Sequence, residues 1–271
     1  MNRIEWQDLP SATRAAVERH TGPVKTAENP PHGVMSRLAC IVRTSTGRAF
    51  VKGTRQDDPQ AWVYRHEADV ARFAPRAPKV LWEADAGGWQ LYGYEYVAGR
   101  HPDLNPGSTD LDPLLRTLTV LSDVPWPETL RKKPLHSRWS EFLPEDVPSC
   151  LQGGGLAHTD MSPHNMLMTP AGDLLLLDWA LSCPAPVWAD TALIIPRLIS
   201  AGHIPKQAEM IARQVPAFRA AAPAAVDVFA HTVYAAWADW ERTRPMPHRA
   251  ALTAAARDWA AYRDSATDVG S

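Results

Sequence analysis

Two stretches dominate the interpretation of this chain: Leu156–Asn165, with the sequence LAHTDMSPHN, and Leu174–Ala180, with the sequence LLLLDWA. Asp160 and Asn165 lie five residues apart in the first stretch, which contains a proline and is typical of a loop. Asp178 directly follows a run of four leucines, which predicts a short buried strand. The loop carries Asp160 and Asn165, and the strand end carries Asp178. We expect the oxygen atoms of these three side chains to take part in the same reaction.

These three side chains suit phosphoryl transfer. That reaction needs a carboxylate that orients the attacking hydroxyl, together with oxygen ligands that hold Mg²⁺ close to the transferred phosphate. Magnesium prefers hard carboxylate and amide oxygens, with water completing its octahedron. We expect Asp160 to orient or deprotonate the hydroxyl, and Asn165 and Asp178 to bind the metal.

The pattern H-x-D-x-x-x-x-N of His158–Asn165, followed by Asp178-Trp179-Ala180, resembles the catalytic core of the aminoglycoside phosphotransferase family, the protein-kinase-like small-molecule antibiotic kinases. The resemblance implies an α+β, bilobal protein-kinase-like fold with a small β-rich N-lobe and a larger, mostly helical C-lobe. It also implies that ATP or GTP donates its γ-phosphoryl to a hydroxyl of an antibiotic-like acceptor, with Mg²⁺ as cofactor. Asp190 resembles the later aspartate that steadies the catalytic loop in that family, whereas Thr159 stands where many members have glycine.

The N-terminal part supplies the residues that the resemblance assigns to the nucleotide. Lys52 ends the predicted strand Arg48–Gly53 and would neutralise phosphate charge. Glu67 lies on the inward face of the predicted helix Gln60–Phe73, where a charge is costly to bury unless it is paired. We therefore expect a Lys52–Glu67 ion pair. Phe50 shares a face with Lys52 by strand alternation and would cover the base.

Two further segments are assigned to nucleotide binding with weaker sequence signals. Pro31–Ser36 contains a single glycine, and the backbone amides of Val34, Met35 and Ser36 would contact phosphate. Tyr94–Gly99 resembles the hinge between lobes, and we expect Tyr96 and Ala98 there to contact the base through backbone groups.

The order of predicted elements places the lobe boundary near Ala98–Pro106. Residues 1–98 form the predicted nucleotide-binding lobe and residues 99–271 the helical lobe with the catalytic loop and acceptor site. The predicted elements before the boundary are a short helix, two hairpins and one intervening helix: Ser11–His20, Leu38–Arg43 with Arg48–Gly53, Gln60–Phe73, and Lys79–Glu83 with Trp89–Val97. A helix from Asp110, two short strands (Asn165–Met168 and Leu174–Leu177) and helices after Pro186 follow.

Composition excludes several other classes of protein. The chain has 271 residues, of which 45% are apolar and 21% charged, a composition typical of globular proteins. Its net charge is −2, so it has no excess of positive charge that would attract nucleic acid or anionic lipid. It contains no apolar run long enough for a membrane span. Three scattered cysteines (Cys40, Cys150 and Cys183) form no disulfide framework. We expect a cytoplasmic protein whose partners are a nucleoside triphosphate and a small acceptor.

Three alternative functions use the same residues. A metallohydrolase built on His158, Asp160 and His164 needs further ligands at metal-binding spacing, and the remaining histidines are dispersed. A nucleotide-binding pseudokinase retains the fold without turnover. A metabolic kinase acting on a sugar or an amino alcohol is the alternative enzyme of the same fold.

The C-terminal residues bear on the acceptor. From Leu181 to Ser271 there are eight acidic and nine basic residues, which does not favour a polycationic aminoglycoside. Trp237 and Trp240 share a helix face and indicate either core packing or an aromatic platform. A neutral or nucleoside-like acceptor, or a macrolide or hydroxylated metabolite, agrees better with this composition.

Overall fold

The computed structural model describes residues 3–30, 36–144 and 151–268, with side chains described as far as Ser265. These residues form two compact units. The first comprises the described residues up to Arg100 together with Thr169–Ala171 and Leu175–Ala180. The second comprises the remaining described residues. The predicted α+β class is confirmed, since one unit is built on a sheet and the other mainly on helices.

A five-stranded antiparallel sheet forms the first unit, with strand order β1-β2-β3-β5-β4. Its strands are β1 (Thr26–Glu28), β2 (Leu38–Arg43), β3 (Arg48–Arg55), β4 (Val80–Ala86) and β5 (Trp89–Glu95). The two predicted hairpins are present as β2–β3 and β4–β5. The β4–β5 turn contains only Gly87 and Gly88, both at positive φ, as a tight two-residue hairpin turn requires.

Two helices pack on this sheet. Helix α1 (Ser11–Thr21) contributes Ala16 and Val17 to a core with Leu38, Cys40, Val42, Val51, Trp89 and Leu91. Helix α2 (Ala61–Ala71) packs Tyr64, Ala68 and Ala71 against Tyr92 and Tyr94. Strand alternation sends Val51 into the first core, which leaves Phe50 and Lys52 on the side of α2.

The second unit is mostly helical. Its helices are α3 (Leu111–Ser122), α4 (Leu135–Arg138), α5 (Ala189–Ser200), α6 (Pro205–Ala212), α7 (Pro216–Arg219), α8 (Pro223–Thr243) and α9 (Arg249–Asp268). The strands β6 (Gly155–Ala157) and β9 (Cys183–Ala185) pair antiparallel, and β7 (Met166–Met168) forms a two-stranded sheet with β8 (Leu174–Leu176). A buried ion network joins its later helices: Arg263 of α9 contacts Glu209 of α6 at 2.7 Å and Asp227 of α8 at 2.6 Å.

Within the described ranges, we find no helix with both the length and the apolar composition needed to traverse a lipid bilayer.

Candidate active site

The first part of the site is a buried ion pair between β3 and α2. The Nζ atom of Lys52 lies 2.7 Å from both carboxylate oxygens of Glu67 and donates a hydrogen bond to each. The two residues are 7% and 5% exposed, so neither charge has much access to water. The pair expected from the sequence is therefore present. It fixes the lysine ammonium on the α2 side of the sheet.

Asp178 shares the same lysine. It belongs to the first compact unit, and its Oδ1 atom lies 3.3 Å from Nζ of Lys52. Its backbone is left-handed, with φ of 62°, a conformation that aspartate tolerates better than bulky residues do. The indole of the next residue, Trp179, is buried and donates to the carbonyl of Leu176, which holds this tight turn in place. The Asp178 side chain is 42% exposed and accessible to a ligand.

These contacts leave an ammonium between two carboxylates. Burial by itself lowers the pKa of Lys52, but Asp178 and Glu67 together raise that pKa above its usual value. Lys52 therefore remains protonated at neutral pH. Of its two partners, Glu67 is buried and Asp178 is open, so the cluster presents one exposed carboxylate beside a fixed cation.

The other predicted nucleotide residues occupy separate places in the first unit. Phe50 packs against the α2-side cluster, with its ring centroid 6.4 Å from that of Tyr94. Tyr96 follows the end of β5 and lies under the guanidinium of Arg48 at 5.1 Å, and Ala98 is exposed. Ser36 is half-buried just before β2. Val34 and Met35, also expected to contact phosphate, lie outside the described residues.

A second group of candidate residues lies in the loop after β6, in the second unit. Asp190, in the first turn of α5, is 5% exposed and accepts hydrogen bonds from two backbone N–H groups. Its Oδ2 accepts from His158 at 2.7 Å and its Oδ1 accepts from Thr159 at 2.8 Å. Burial raises the pKa of Asp190, an effect opposed by His158 and by these hydrogen bonds. The family's loop-steadying contact, expected of Asp190, is thus present in the structure.

The same loop fixes Asp160 and Asn165. The backbone N–H of Asp160 donates to Nδ1 of the fully buried His158 at 3.2 Å, which gives this histidine a structural contact. Nδ2 of Asn165 donates to the carbonyl of Asp160 at 3.2 Å. That bond orients the amide so that its Oδ1 is the atom able to bind a cation. The Asp160 side chain is 35% exposed.

Thr159 stands where many members of the family that the sequence resembles have glycine, and its contacts show how a threonine fits there. Its φ is 65°, in the left-handed region that favours glycine and is costly for a β-branched residue. Its hydroxyl donates to the carbonyl of Leu181 at 2.7 Å, and its N–H is held by Asp190. These bonds compensate for the strained backbone, so a threonine is accommodated where glycine is common.

Sequence reasoning missed two arginines near this loop. Nη1 of Arg138, in α4, donates to the carbonyl of Leu181 at 2.6 Å and to Sγ of Cys183 at 3.2 Å. Nη2 of Arg197, in α5, lies 3.7 Å from Oδ1 of Asp160. Arg197 follows Asp190 by seven residues and shares its helix face, but this spacing does not show which side chain lies opposite Arg197.

Three tryptophans of the second unit have ring contacts with Phe229 or with one another. Trp139 lies 5.8 Å from Phe229 and 6.4 Å from Trp240, and Trp188 lies 5.1 Å from Phe229. Trp139, Trp188 and Trp259 are buried, whereas Trp237 and Trp240 are partly exposed. Among the described residues, no group of three or more His, Cys, Asp or Glu side chains is arranged to hold a metal ion.

The chain matches one family model. The model of the phosphotransferase enzyme family (APH) matches residues 106–229, a range that contains Asp160, Asn165, Asp178 and Asp190. No protein among the curated sequences matches the chain.

Solved structures with the same fold are numerous. A choline kinase from Streptococcus pneumoniae is 13% identical, with a TM-score of 0.62, over 93% of this chain and 99% of that one. A macrolide 2'-phosphotransferase from Brachybacterium faecium is 16% identical, with a TM-score of 0.54, over 89% and 96%. An aminoglycoside phosphotransferase from Streptomyces rimosus, solved with ADP and streptomycin, is 15% identical, with a TM-score of 0.56, over 80% and 95%. The resemblance drawn from the sequence is confirmed: this chain carries the pattern of the phosphotransferase enzyme family over residues 106–229 and has the α+β, kinase-like fold of these structures.

Proposed function

We propose that this protein is a small-molecule kinase that transfers the γ-phosphoryl of ATP or GTP to a hydroxyl of its acceptor. The observation that carries the proposal is the Lys52–Glu67–Asp178 cluster, in which a buried ammonium is fixed beside an exposed carboxylate. Phosphoryl transfer needs a fixed cation for the phosphates and a carboxylate for the metal, and this cluster offers both. The kinase-like structure from Streptomyces rimosus, solved with bound ADP, also supports a nucleotide donor.

In this proposal the first unit binds the nucleotide. Lys52 neutralises phosphate charge and Glu67 keeps its ammonium in place. Phe50 covers the base, while Tyr96 and Ala98 contact its edge and Ser36 contributes a backbone amide to the phosphates. Residues 1–98 correspond to this nucleotide-binding part, and residues 99–271 to the part that binds the acceptor.

The second unit supplies the group that acts on the acceptor. Asp160 accepts a hydrogen bond from the attacking hydroxyl, orients it and receives its proton as the bond to phosphorus forms. His158 and Asp190 hold the backbone on either side of this carboxylate. Proton acceptance at Asp160 therefore occurs on a loop whose position is fixed before substrate arrives.

The donor atoms also fit Mg²⁺. Asp178 offers an exposed carboxylate, and Asn165 offers an amide oxygen whose orientation is set by the bond from its own Nδ2. Both are hard oxygen donors of the type that magnesium prefers. When bound, the metal would neutralise the negative charge of the phosphates.

The acceptor is not expected to be a polycation. Residues 181–271 contain eight acidic and nine basic residues, a balance that does not favour an acceptor with several ammonium groups. The related structures include enzymes named for choline, macrolide and aminoglycoside acceptors, so the fold accommodates chemically different hydroxyl compounds. An antibiotic and a hydroxylated metabolite both remain within the proposal.

The test is acceptor-dependent nucleotide consumption. The wild-type protein is incubated with Mg²⁺, ATP or GTP and a mixed panel of antibiotics and hydroxylated metabolites, and products are identified by the mass added by one phosphoryl group. We expect phosphorylated products from wild type, none from Asp160→Asn, and wild-type amounts from Asp112→Asn, whose aspartate is exposed on α3.

Nucleotide binding without any product would favour a pseudokinase and contradict the proposal. Equal turnover by Asp160→Asn and Asp112→Asn would remove Asp160 from the mechanism. Absence of nucleotide binding would contradict the proposal as a whole.

A further inference from the structure

Arg197 is a largely buried cation close to the candidate base, and one of its donor atoms has no hydrogen-bond partner among the described residues. Its side chain is 15% exposed, and its Nε atom is buried without a hydrogen-bond partner among the described residues. The nearest carboxylate oxygen to its Nη2 is Oδ1 of Asp160 at 3.7 Å, which is beyond hydrogen-bond distance. A guanidinium has five donors, and leaving them unmatched inside a protein costs free energy. An arginine in this condition indicates a missing partner.

The surroundings of Arg197 hold the guanidinium in one place. It projects from α5 and lies over the indole ring of Trp237 in α8, with its central carbon 5.2 Å from the ring centroid. Stacking on an aromatic face leaves the edge of the planar fork, where the N–H groups point, available for a second ligand. Burial lowers the pKa of Arg197, although Asp160 acts in the opposite direction, and arginine still remains charged at neutral pH.

We propose that Arg197 binds a carboxylate of the acceptor, so that the substrate is a hydroxylated carboxylic acid. This inference rests on the proposed kinase function and narrows its acceptor class. The hydroxyl must reach Asp160 while the carboxylate reaches Arg197, and the two residues are 3.7 Å apart. Hydrogen bonds of about 2.8 Å at each end then place the two groups of the acceptor within about 9 Å of each other.

Charge balance favours a carboxylate over a phosphate. Asp160 and Arg197 together are neutral. The pair and a bound carboxylate therefore carry a net charge of −1, whereas the pair and a bound phosphate monoester carry about −2. An ammonium group on the acceptor would instead meet the guanidinium as a like charge. The fork of arginine also matches the two oxygens of a carboxylate in one plane.

The first experiment observes the guanidinium itself and does not depend on turnover. Nitrogen-15 NMR spectra record the arginine Nε–Hε signals, and the signal absent from Arg197→Lys identifies Arg197. Acetate and acetamide are titrated at constant ionic strength. We expect saturable movement of the Arg197 signal with acetate and none with acetamide. No response to acetate, or the same response to both, overturns the inference.

The second experiment sorts acceptors by charge. Pools of hydroxylated carboxylates, neutral alcohols and amino alcohols are incubated with wild type, Mg²⁺ and nucleotide, and phosphorylated products are identified by mass. We expect products mainly from the carboxylate pool. Products only from the other pools overturn the carboxylate assignment and leave the kinase proposal standing, whereas no product in any pool contradicts the kinase proposal itself.

Variants of Arg197 distinguish acceptor binding from a purely structural role. For a carboxylate acceptor, Arg197→Met should raise KM by about 10- to 100-fold, the effect of losing charge-assisted hydrogen bonds, with a smaller change in kcat. Arg197→Lys should restore part of the KM, and Arg257→Met, at an exposed arginine of α9, should leave both constants unchanged. A fall in kcat for all acceptors with unchanged KM would show that Arg197 only positions Asp160, and would overturn the inference.

Discussion

The two parts of the candidate site are fixed by different kinds of interaction. In the first unit, side-chain charges hold one another: Lys52 lies 2.7 Å from Glu67 and 3.3 Å from Asp178. In the second unit, Asp160 is held through its backbone, by His158 and by the loop that Asp190 ties down. Removing one charge in the first unit leaves another buried without a partner. Removing the Asp160 carboxylate leaves the hydrogen bonds of the loop intact and takes away only a charge 3.7 Å from Arg197, so its loss should affect chemistry far more than folding.

The largest expected effect is on turnover. Asp160→Asn keeps the shape of the side chain but cannot accept the proton of the hydroxyl, so kcat should fall by about 10²- to 10⁴-fold. The free energy of unfolding should fall by less than in Lys52→Met, because the backbone contact with His158 does not involve the carboxylate and the charge contact with Arg197 is long, at 3.7 Å. Urea unfolding and steady-state kinetics on the same sample test both statements. A loss of unfolding free energy in Asp160→Asn as large as that in Lys52→Met would contradict the difference drawn between the two units.

The largest expected effect on stability belongs to the first unit. Lys52→Met leaves the carboxylate of Glu67 buried without its cation, which should cost about 3–5 kcal/mol of unfolding free energy. Combining it with Glu67→Leu removes both charges and should recover most of this loss without recovering nucleotide binding. Lys25→Met, at an exposed lysine, is the matched control. A double variant no more stable than Lys52→Met would show that the buried charge is not the cause.

Substitution of Asp190 should have an intermediate effect on both stability and turnover. In Asp190→Asn one carboxylate oxygen becomes an NH₂ group, which cannot accept from either His158 or Thr159, so a buried N–H loses its acceptor. We expect a loss of about 1–3 kcal/mol of unfolding free energy and a lower kcat, because the loop carrying Asp160 loosens. Asp258→Asn, at an exposed position of α9, should change neither quantity. Lower stability with wild-type kcat would argue that the loop does not depend on this contact.

The smallest expected effect concerns Thr159. Both Thr159→Gly and Thr159→Val lose the hydroxyl bond to Leu181, but only valine keeps a β-branched side chain at a φ of 65°. The glycine variant should therefore be the more stable of the two, by about 1–3 kcal/mol of unfolding free energy. Thermal and urea unfolding compare them directly. A more stable valine variant would contradict the assignment of backbone strain to this position.

Much of the fold follows from the sequence, because its longer elements repeat their pattern over several residues. Helix α1 and strands β2 and β5 begin where apolar periodicity predicts, and β3 begins at Arg48 as expected. Some observed boundaries differ from the predicted ones. Strand β4 continues to Ala86, through residues expected in the turn, and β5 ends at Glu95 rather than Val97. The start of a strand is predicted well from the alternation of apolar and polar residues. The residues at which a hairpin turns are predicted less accurately from their composition.

Three of the five short strands were not predicted, whereas β7 and β8 were expected on either side of the turn at residues 170–173. β1, β6 and β9 contain three residues each, too few for an alternating pattern, and β6 pairs with β9 across a long stretch of chain. The Lys52–Glu67 pair was predicted because a charge on an inward helix face requires a partner. Arg197 was not, because its meaning depends on which side chain lies opposite, and that depends on tertiary packing.

Calorimetric titration of Mg²⁺–ATP and Mg²⁺–GTP tests the central claim most directly, namely that the first unit binds nucleotide and Asp160 acts on the acceptor. It compares wild type, Asp160→Asn and the Lys52→Met/Glu67→Leu double variant. We predict that Asp160→Asn binds nucleotide with the Kd of wild type, and that the double variant binds at least about tenfold more weakly after losing a charge-assisted contact to phosphate. Wild-type affinity in the double variant, or an equal loss in Asp160→Asn, would contradict the account.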